Sequence, residues 1–497
     1  MREWSCQDMS NRRRILFGGL ATSIGASLLR WQTSLAGTEE RSPSHRPGDE
    51  PTSVRRFGAR GDGVADDTAA VAAAVAGIRD GGTLVFPAGG RYRLTEVDLT
   101  GKAVTLIAYG AEIICAMEGK GAIRKSDHGK KLTICGGRFT GRGIGVRWVT
   151  GTSTTQYDDF LLVDVKFMNA DYGVYLDGVR EGALIGCSFD GTFGNKGVYR
   201  VRTVNTQLIG CNWKNTAYMV NDDGDYSPYS AGLVINGGVA IGCATGVYSQ
   251  GTDLVTITGG VVIDYCDAPV VLRGVDCVEI NGGCYLSSRA LRGGGSNPAL
   301  DVNLADNGDP TRNLKIGFIS TLNHSNGAGA DCIRLRGVAS GFLVHCTISF
   351  FRRFGIDFAG CTRFQVNENT LARGAGSPAT MAIIESADGD SSNGVSRNDT
   401  GGLRISTLFA RVEGNLGFAT EGCGEAMAAA DASAMTVKHG LSYTPAKSEI
   451  VLTATNREAA NARPYIAAVS PTTFTIGFAS ATTSSASVAW HVKRKTF

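Results

Sequence analysis

The chain has 497 residues, 43% of them hydrophobic and 19% charged, with 67 glycines and 12 prolines. That apolar content can build a core and excludes wholesale disorder. Glycine at about twice its usual share of ~7%, with charge below the usual ~25%, argues against coiled coil and helical bundle and points to short strands between tight turns. A formal net charge of +3 leaves no electrostatic footprint for nucleic acid.

In chain order, residues 1–36 read as an export signal. Arg12, Arg13 and Arg14 precede a weakly apolar run from Ile15 to Leu29, and Ser34-Leu35-Ala36 supplies a small-x-small cleavage site. This is the pattern of a twin-arginine signal peptide; the alternative is an uncleaved basic N-terminus. The run is shorter than the roughly 20 residues that span a bilayer, and no other stretch reaches that length. The mature chain is therefore expected to be periplasmic or secreted, with no membrane span. Residues 37–53 are a polar, proline-containing linker. Asp66 or Asp67 then caps an Ala/Val-rich helix from about Thr68 to Arg79, stopped by Gly81-Gly82 and followed by short strands at Leu84-Val85-Phe86 and Tyr92-Arg93-Leu94.

From about residue 100 the chain repeats itself. A Gly-apolar-x-apolar strand recurs at Gly121, Gly145, Gly173, Gly197 and Gly246, with weaker copies at Pro269, Asp331, Gly355 and Gly402. The intervals 121→145, 173→197 and 331→355 are each 24 residues, while 145→173 is 28. A second strand lies between copies, as in ALIGCSF, TQLIGCNW and FLVHCTISF, so each unit holds at least two short strands and no room for a helix. A period in the low twenties without the leucine-rich spacing fits a right-handed parallel β-helix, one coil per repeat, with coils ~4.8 Å apart. A sandwich or propeller of short Gly-rich strands is the alternative.

Thirteen cysteines accompany this pattern. Cys135, Cys187 and Cys346 precede their coil's glycine by nine or ten residues, and Cys211 and Cys243 share the Ile-Gly-Cys slot of Cys187. Side chains stacked ~4.8 Å apart are too far for the ~3.8 Å Cβ–Cβ distance of a disulfide, so these read as buried free thiols in an interior ladder. No Cys-x-x-Cys pair supports a zinc site. The helix at Thr68–Arg79 is placed to cover the open N-terminal edge of the coils. Residues 425–497 form a small antiparallel β domain, serving as cap, homo-oligomerisation module or binding module.

Phe57-Gly58-Ala59-Arg60-Gly61-Asp62-Gly63, Asp66-Asp67-Thr68, the alanine helix, Gly81-Gly82-Thr83 and Phe86-Pro87-Ala88-Gly89 resemble the opening of the pectate-lyase superfamily, and more closely the rhamnogalacturonase/epimerase-like pectate lyase domain. The resemblance covers roughly residues 54–420, its specific part being about the first 45 of these, and implies a right-handed β-helix over 54–424. It also implies a glycan ligand, since members include polysaccharide lyases, hydrolases, epimerases and tail-spike depolymerases. Asp222-Asp223 matches the aspartate pair of the polygalacturonase branch and Arg334-Leu335-Arg336 echoes its last element, but no Gly-His-Gly occurs, which argues against that activity. The C-terminal segments KHGLSYTP and TTFTIGF are similar to end domains of surface and phage-tail β-helix proteins.

Candidate site residues cluster where the repeat breaks, between Asn215 and Ser230, in what reads as a surface insertion. Asp222, Asp223 and Asp225 are the candidate catalytic carboxylates, because glycosidic hydrolysis needs two flanking the bond. Tyr218, Tyr226 and Tyr229 offer faces for sugar rings. Asp190 and Asp225 each lie seven residues before a repeat glycine and are expected to share a slot. Carboxylates one coil apart sit near the retaining distance, and two coils apart, ~9.6 Å, near the inverting limit. Asp158 and Asp159 form a second acidic insertion, and Arg180, Arg200 and Arg202 are candidate partners for an acidic sugar. The alternative for each is an ordinary solvated turn or strand face. No resident cofactor or metal is expected, with Ca²⁺ entering only if the reaction is an elimination. The function expected is an exported polysaccharide-active enzyme, glycosidase or lyase. The rivals are a non-catalytic glycan-binding surface protein and a phage tail-spike, and the export signal argues against the latter.

Overall fold

The computed structural model describes residues 50–151, 157–191, 195–224, 230–289, 297–324, 330–386, 392–406, 409 and 411–494. The export-signal segment, most of the linker, and Asp225, Tyr226 and Tyr229 lie outside the described residues. Among the described residues no helix is long and apolar enough to cross a membrane.

The repeat builds a parallel β-helix with three strands per coil, where the sequence made at least two legible. Among the described residues sheet 1 has 15 strands, and sheets 2 and 3 have 13 each, with strands pairing to the equivalent strand of the next coil. One coil runs Arg180–Ile185 in sheet 1, Ser188–Asp190 in sheet 2 and Lys196–Val201 in sheet 3. The repeat glycines Gly145, Gly173 and Gly197 all fall in sheet 3, and the interior explains them. Phe139, Phe167, Phe189 and Trp213 are in register on sheet 2 and point inward, with neighbouring ring centroids 5.3, 5.0 and 5.4 Å apart. A Cβ on Gly145, Gly173 or Gly197 would come within 2.5, 2.5 or 2.6 Å of the rings of Phe167, Phe189 and Trp213 respectively. The aromatic stack therefore dictates the glycine column opposite it.

The cysteine ladder is real but is split between corners. Cys187, Cys211 and Cys346 are free and buried at the turn from sheet 1 to sheet 2, whereas Cys243 is buried after Val239–Ile241, one corner later. Cys135 is not in the ladder: it pairs with Val163 on the outer side of sheet 1 and is half-buried. Toward the C-terminal end asparagine takes over the first corner, where Asn369, Asn398 and Asn415 stack. Each amide donates to backbone carbonyls of its own or the preceding coil.

At the N-terminal end the helix Thr68–Gly77 buries Val71, Ala74 and Val75 in the same core as the coils and packs beside Val97–Asp98, the edge strand of sheet 3. Asp67 precedes it but caps nothing in it: its carboxylate accepts the Arg60 and Gly61 N–H groups at 2.7 and 3.1 Å, fixing the glycine-rich turn, while Asp66 accepts from the Thr68 N–H at 2.9 Å. At the other end the last sheet 1 strand, Arg411–Glu413, leads into a sandwich of two three-stranded antiparallel sheets beginning at Glu421–Ala428. Phe474, Ile476, Val488, Trp490 and Val492 form its core, and Tyr443 packs on both this core and that of the coils. Arg494 donates to the Phe409 carbonyl at 2.9 Å, tying the last strand to the last coil.

Candidate functional site

In a strand, successive side chains face opposite sides, so the sheet 3 strands Tyr172–Asp177, Lys196–Val201, Tyr218–Asp223 and Thr245–Gln250 send alternate residues outward. Register stacks the outward residues in three columns. Arg147, Tyr175, Tyr199, Asn221 and Tyr248 form the central one. Tyr172, Lys196 and Tyr218 lie on one side of it, and Asp177, Val201 and Asp223 on the other.

The rings make a half-buried platform. Tyr175 and Tyr199 stack at 5.2 Å and 16°, and Tyr172 meets both edge-on at 5.5 Å. Tyr218 and Tyr248 form a further edge-to-face pair at 6.4 Å. Lys196 lies over the Tyr172 ring at 4.6 Å and donates to its hydroxyl at 2.8 Å, while Arg147 lies over Tyr175 at 5.8 Å. Burial, with Asp223 and the other tyrosines adding to it, pushes the Tyr199 phenol up to about 12, so this hydroxyl keeps its proton and acts as a donor. Asp177 and Asp223 stand two coils apart in one column, a spacing of ~9.6 Å, with Val201 between them. Arg202 closes one edge, donating to both carboxylate oxygens of Asp177 at 2.7 and 2.9 Å.

The structure brings Tyr218, Asp223 and Arg202 to this face and removes several other expected residues from it. Within the segment read as an insertion, Tyr218–Asp223 is a regular sheet 3 strand. Alternation then forces Asp222 inward: it is fully buried, 3.0 Å from the equally buried Arg200, and accepts the Ser249 hydroxyl at 3.0 Å. Asp222 cannot act with Asp223 on one bond, and Arg200 cannot reach a surface sugar. Asp190 is exposed on sheet 2, in register with Met168 and Lys214, where it lines a cavity of ≈ 400 Å³. Asp225, expected to share its slot, lies outside the described residues, and the two were counted from unlike glycines. The glycine counted from Asp190 lies in sheet 3, while Gly232, counted from Asp225, lies in sheet 1.

Asp158 is fully buried and accepts from His128 Nδ1 at 2.9 Å and from the N–H groups of Gly129 and Arg180 at 3.2 and 2.7 Å. It holds the corner before sheet 1 and has no surface left for substrate. Burial pushes its carboxyl above the ordinary value. Asp159 is exposed and pairs with Lys131 at 3.0 Å, and Arg180 lies over Tyr157 at 5.8 Å; both belong to the sheet 1 corner and not to the tyrosine face. Among the described residues no group of three His, Cys, Asp or Glu side chains could hold a metal ion.

Residues missed from sequence are Tyr172, Tyr175, Tyr199, Tyr248, Lys196 and Asp177. The signal was present in the repeat itself. The x of Gly-apolar-x-apolar is the outward position, and it reads Tyr at 175, 199 and 248.

No family model matches the sequence, and no curated protein matches it. Solved structures do. The tailspike protein of E. coli bacteriophage HK620 in complex with pentasaccharide matches at 13% identity and a TM-score of 0.51, over 90% of this chain and 94% of that one. The A-module of the Azotobacter vinelandii mannuronan C-5 epimerase matches at 16% identity and a TM-score of 0.40, over 73% and 99%. The likeness to the HK620 tailspike is one of fold alone.

Proposed function

We propose that this chain is an exported polysaccharide-active protein that holds a glycan across the outer face of sheet 3. The observation carrying this is the five-tyrosine platform with Asp177 and Asp223 along its edge. Stacked rings suit the apolar faces of sugars, and two carboxylates near the inverting limit leave room for a water beside a glycosidic bond. In this reading Asp223 and Asp177 serve as the acid–base pair of a hydrolase, Lys196 and Arg147 bind polar substituents, and the protonated Tyr199 hydroxyl donates to the sugar. The resemblance of residues 57–89 to the opening of the pectate-lyase superfamily supports a glycan as ligand, as does the pentasaccharide held by the tailspike of the same fold. The twin-arginine pattern supports export, and the C-terminal sandwich is the part we propose for self-assembly.

A second reading, glycan binding without cleavage, has one observation in its favour: both oxygens of Asp177 are already taken by Arg202. The deciding experiment incubates the chain from residue 37 onward with acidic and neutral polysaccharides, with and without chelator. New reducing ends and the ultraviolet absorbance of an unsaturated uronate are followed together. Reducing ends alone, lost by about 10²–10⁴-fold in Asp223→Asn, support hydrolysis. Both signals, abolished by chelator, replace it with calcium-assisted elimination. Retention on a glycan column with neither signal establishes the binding reading.

A further inference from the structure

We infer a second glycan-binding surface on the outer face of sheet 2 in the C-terminal half of the coils, taking an uncharged polysaccharide strand. The residue that turns the chain from sheet 1 into sheet 2 has a left-handed backbone. The central coils put glycine there, at Gly186 and Gly210. Further along, the same position holds Phe318 (φ 55°), His345 (φ 53°), Glu368 (φ 59°) and Arg397 (φ 54°). Phe318 is 62% exposed, and its ring stacks on His345 at 4.9 Å and 26°. An aromatic side chain in this backbone region is strained where glycine is not. A ring held in solvent repays none of that through the core, so the packing of the fold does not account for it.

The opposite edge of the same sheet repeats the device. Tyr265 (φ 52°), at the bulge near the end of the strand Val262–Cys266, and Phe350 (φ 62°), just after Thr347–Ser349, occupy the position where earlier coils use Asn215 and Gly242. They are 42% and 47% exposed; Arg289 lies over Tyr265 at 4.9 Å, and His324 is 5.1 Å from Phe350. Between the two aromatic edges the strands Tyr285–Ser288, Ser320–Asn323 and Thr347–Ser349 form the floor, with Tyr285, Ser320 and Thr347 in one column.

Flat apolar edges about a hydroxyl-bearing floor match a ligand with apolar faces and hydroxyl rims, which is a chain of pyranose rings. The carboxylate on this edge, Glu368, is already paired with His345 at 3.2 Å and Arg397 at 2.7 Å, and the Arg289 cation on the opposite edge is held over the Tyr265 ring, so stacking and hydroxyl contacts dominate the surface. The tyrosine face of sheet 3 is a separate surface, and this inference does not rest on it.

The test is affinity electrophoresis of the full chain in native gels containing galactomannan, mixed-linkage β-glucan or dextran, for the wild type and for Phe318→Gly, Phe350→Gly and the double variant. Glycine relieves the left-handed backbone, so these variants separate ligand binding from folding. The expected result is retardation of the wild type by at least one polymer. The double variant then binds at least tenfold more weakly, with a thermal midpoint equal to or above that of the wild type. With the sheet 3 platform removed by Tyr175→Ala/Tyr199→Ala, adding Phe318→Gly and Phe350→Gly still weakens the retardation that remains. No retardation by any of the three polymers, unchanged retardation of the double variant, or a lowered midpoint showing the rings to be structural would each overturn the inference.

Discussion

Removing the carboxylate of Asp222 tests the register of sheet 3 directly. Asp222 and Arg200 are both fully buried and stand 3.0 Å apart, yet Arg200 Nη1 and Asp222 Oδ1 are not aligned as a hydrogen bond. Burial raises the Asp222 carboxyl and lowers the Arg200 guanidinium, and each partly offsets this in the other. Asp222→Ala leaves an uncompensated guanidinium in the interior, which costs about 3–5 kcal/mol. With unfolding entropy near 2.1 cal/mol/K per residue over roughly 400 described residues, that lowers the thermal midpoint by about 4–6 °C. Replacing both partners, Arg200→Met with Asp222→Leu, removes the two desolvated charges together and restores most of the loss. Asp223→Asn, one residue away on the outer face, shifts the midpoint by less than about 1 °C while acting on activity. Differential scanning calorimetry of the four proteins checks the set. Equal midpoint losses for Asp222→Ala and Asp223→Asn would refute the assignment of which aspartate faces inward.

Three further outcomes follow from the coils. Gly197→Ala drives a Cβ to 2.6 Å from the Trp213 ring and from the Met219 carbonyl, an overpacking expected to cost about 1–3 kcal/mol or more in denaturant unfolding. Unchanged stability would mean that the aromatic stack yields freely. Asn398→Ala strips the amide that donates to the Val366 and Ser396 carbonyls and the oxygen that accepts from the Asn369 N–H. The expected loss is about 1–3 kcal/mol, checked by the midpoint of chemical unfolding. The third concerns pH. Burial and the adjacent Asp276 raise the Asp253 carboxyl from 3.8 to about 6. Between those values the folded chain binds the extra proton, so stability falls as pH rises from about 4 to 6. Because solvent still reaches part of the side chain, screening holds the effect to about 1 kcal/mol. Asp253→Asn should flatten that part of the stability–pH curve, and a slope left intact would assign it to another group.

Asp253 and Asp276 also show how much of the chain was legible. They recur 23 residues apart in the same Gly-x-Asp-x-Val-x-Ile frame, as Gly251–Ile257 and Gly274–Ile280, and pair in register on adjacent coils. The frame was readable, but the closeness of the two carboxylates required knowing that the period is one coil. The tyrosine face has the same history, since Tyr175, Tyr199 and Tyr248 occupied the variable slot of a repeat read mainly for its glycines. Counting from glycines misled where two kinds of glycine look alike. Gly197 makes room for Trp213, whereas Gly232 is the second residue of the sheet 1 strand Ala231–Asn236 and has a positive φ of 74°.

The sequence by itself determined that this chain is a stack of coils, because a period of about 24 residues with two-residue alternation can bury its apolar side chains only by laying each repeat on the next. It also determined the N-terminal helix, the buried thiols at Cys187, Cys211, Cys243 and Cys346, and an antiparallel unit at the C-terminal end. Tertiary structure alone decided how many corners each coil has and which residue of a pair such as Asp222 and Asp223 meets solvent. A strand's phase is set by what its neighbours stack against, and that information belongs to the coils above and below it.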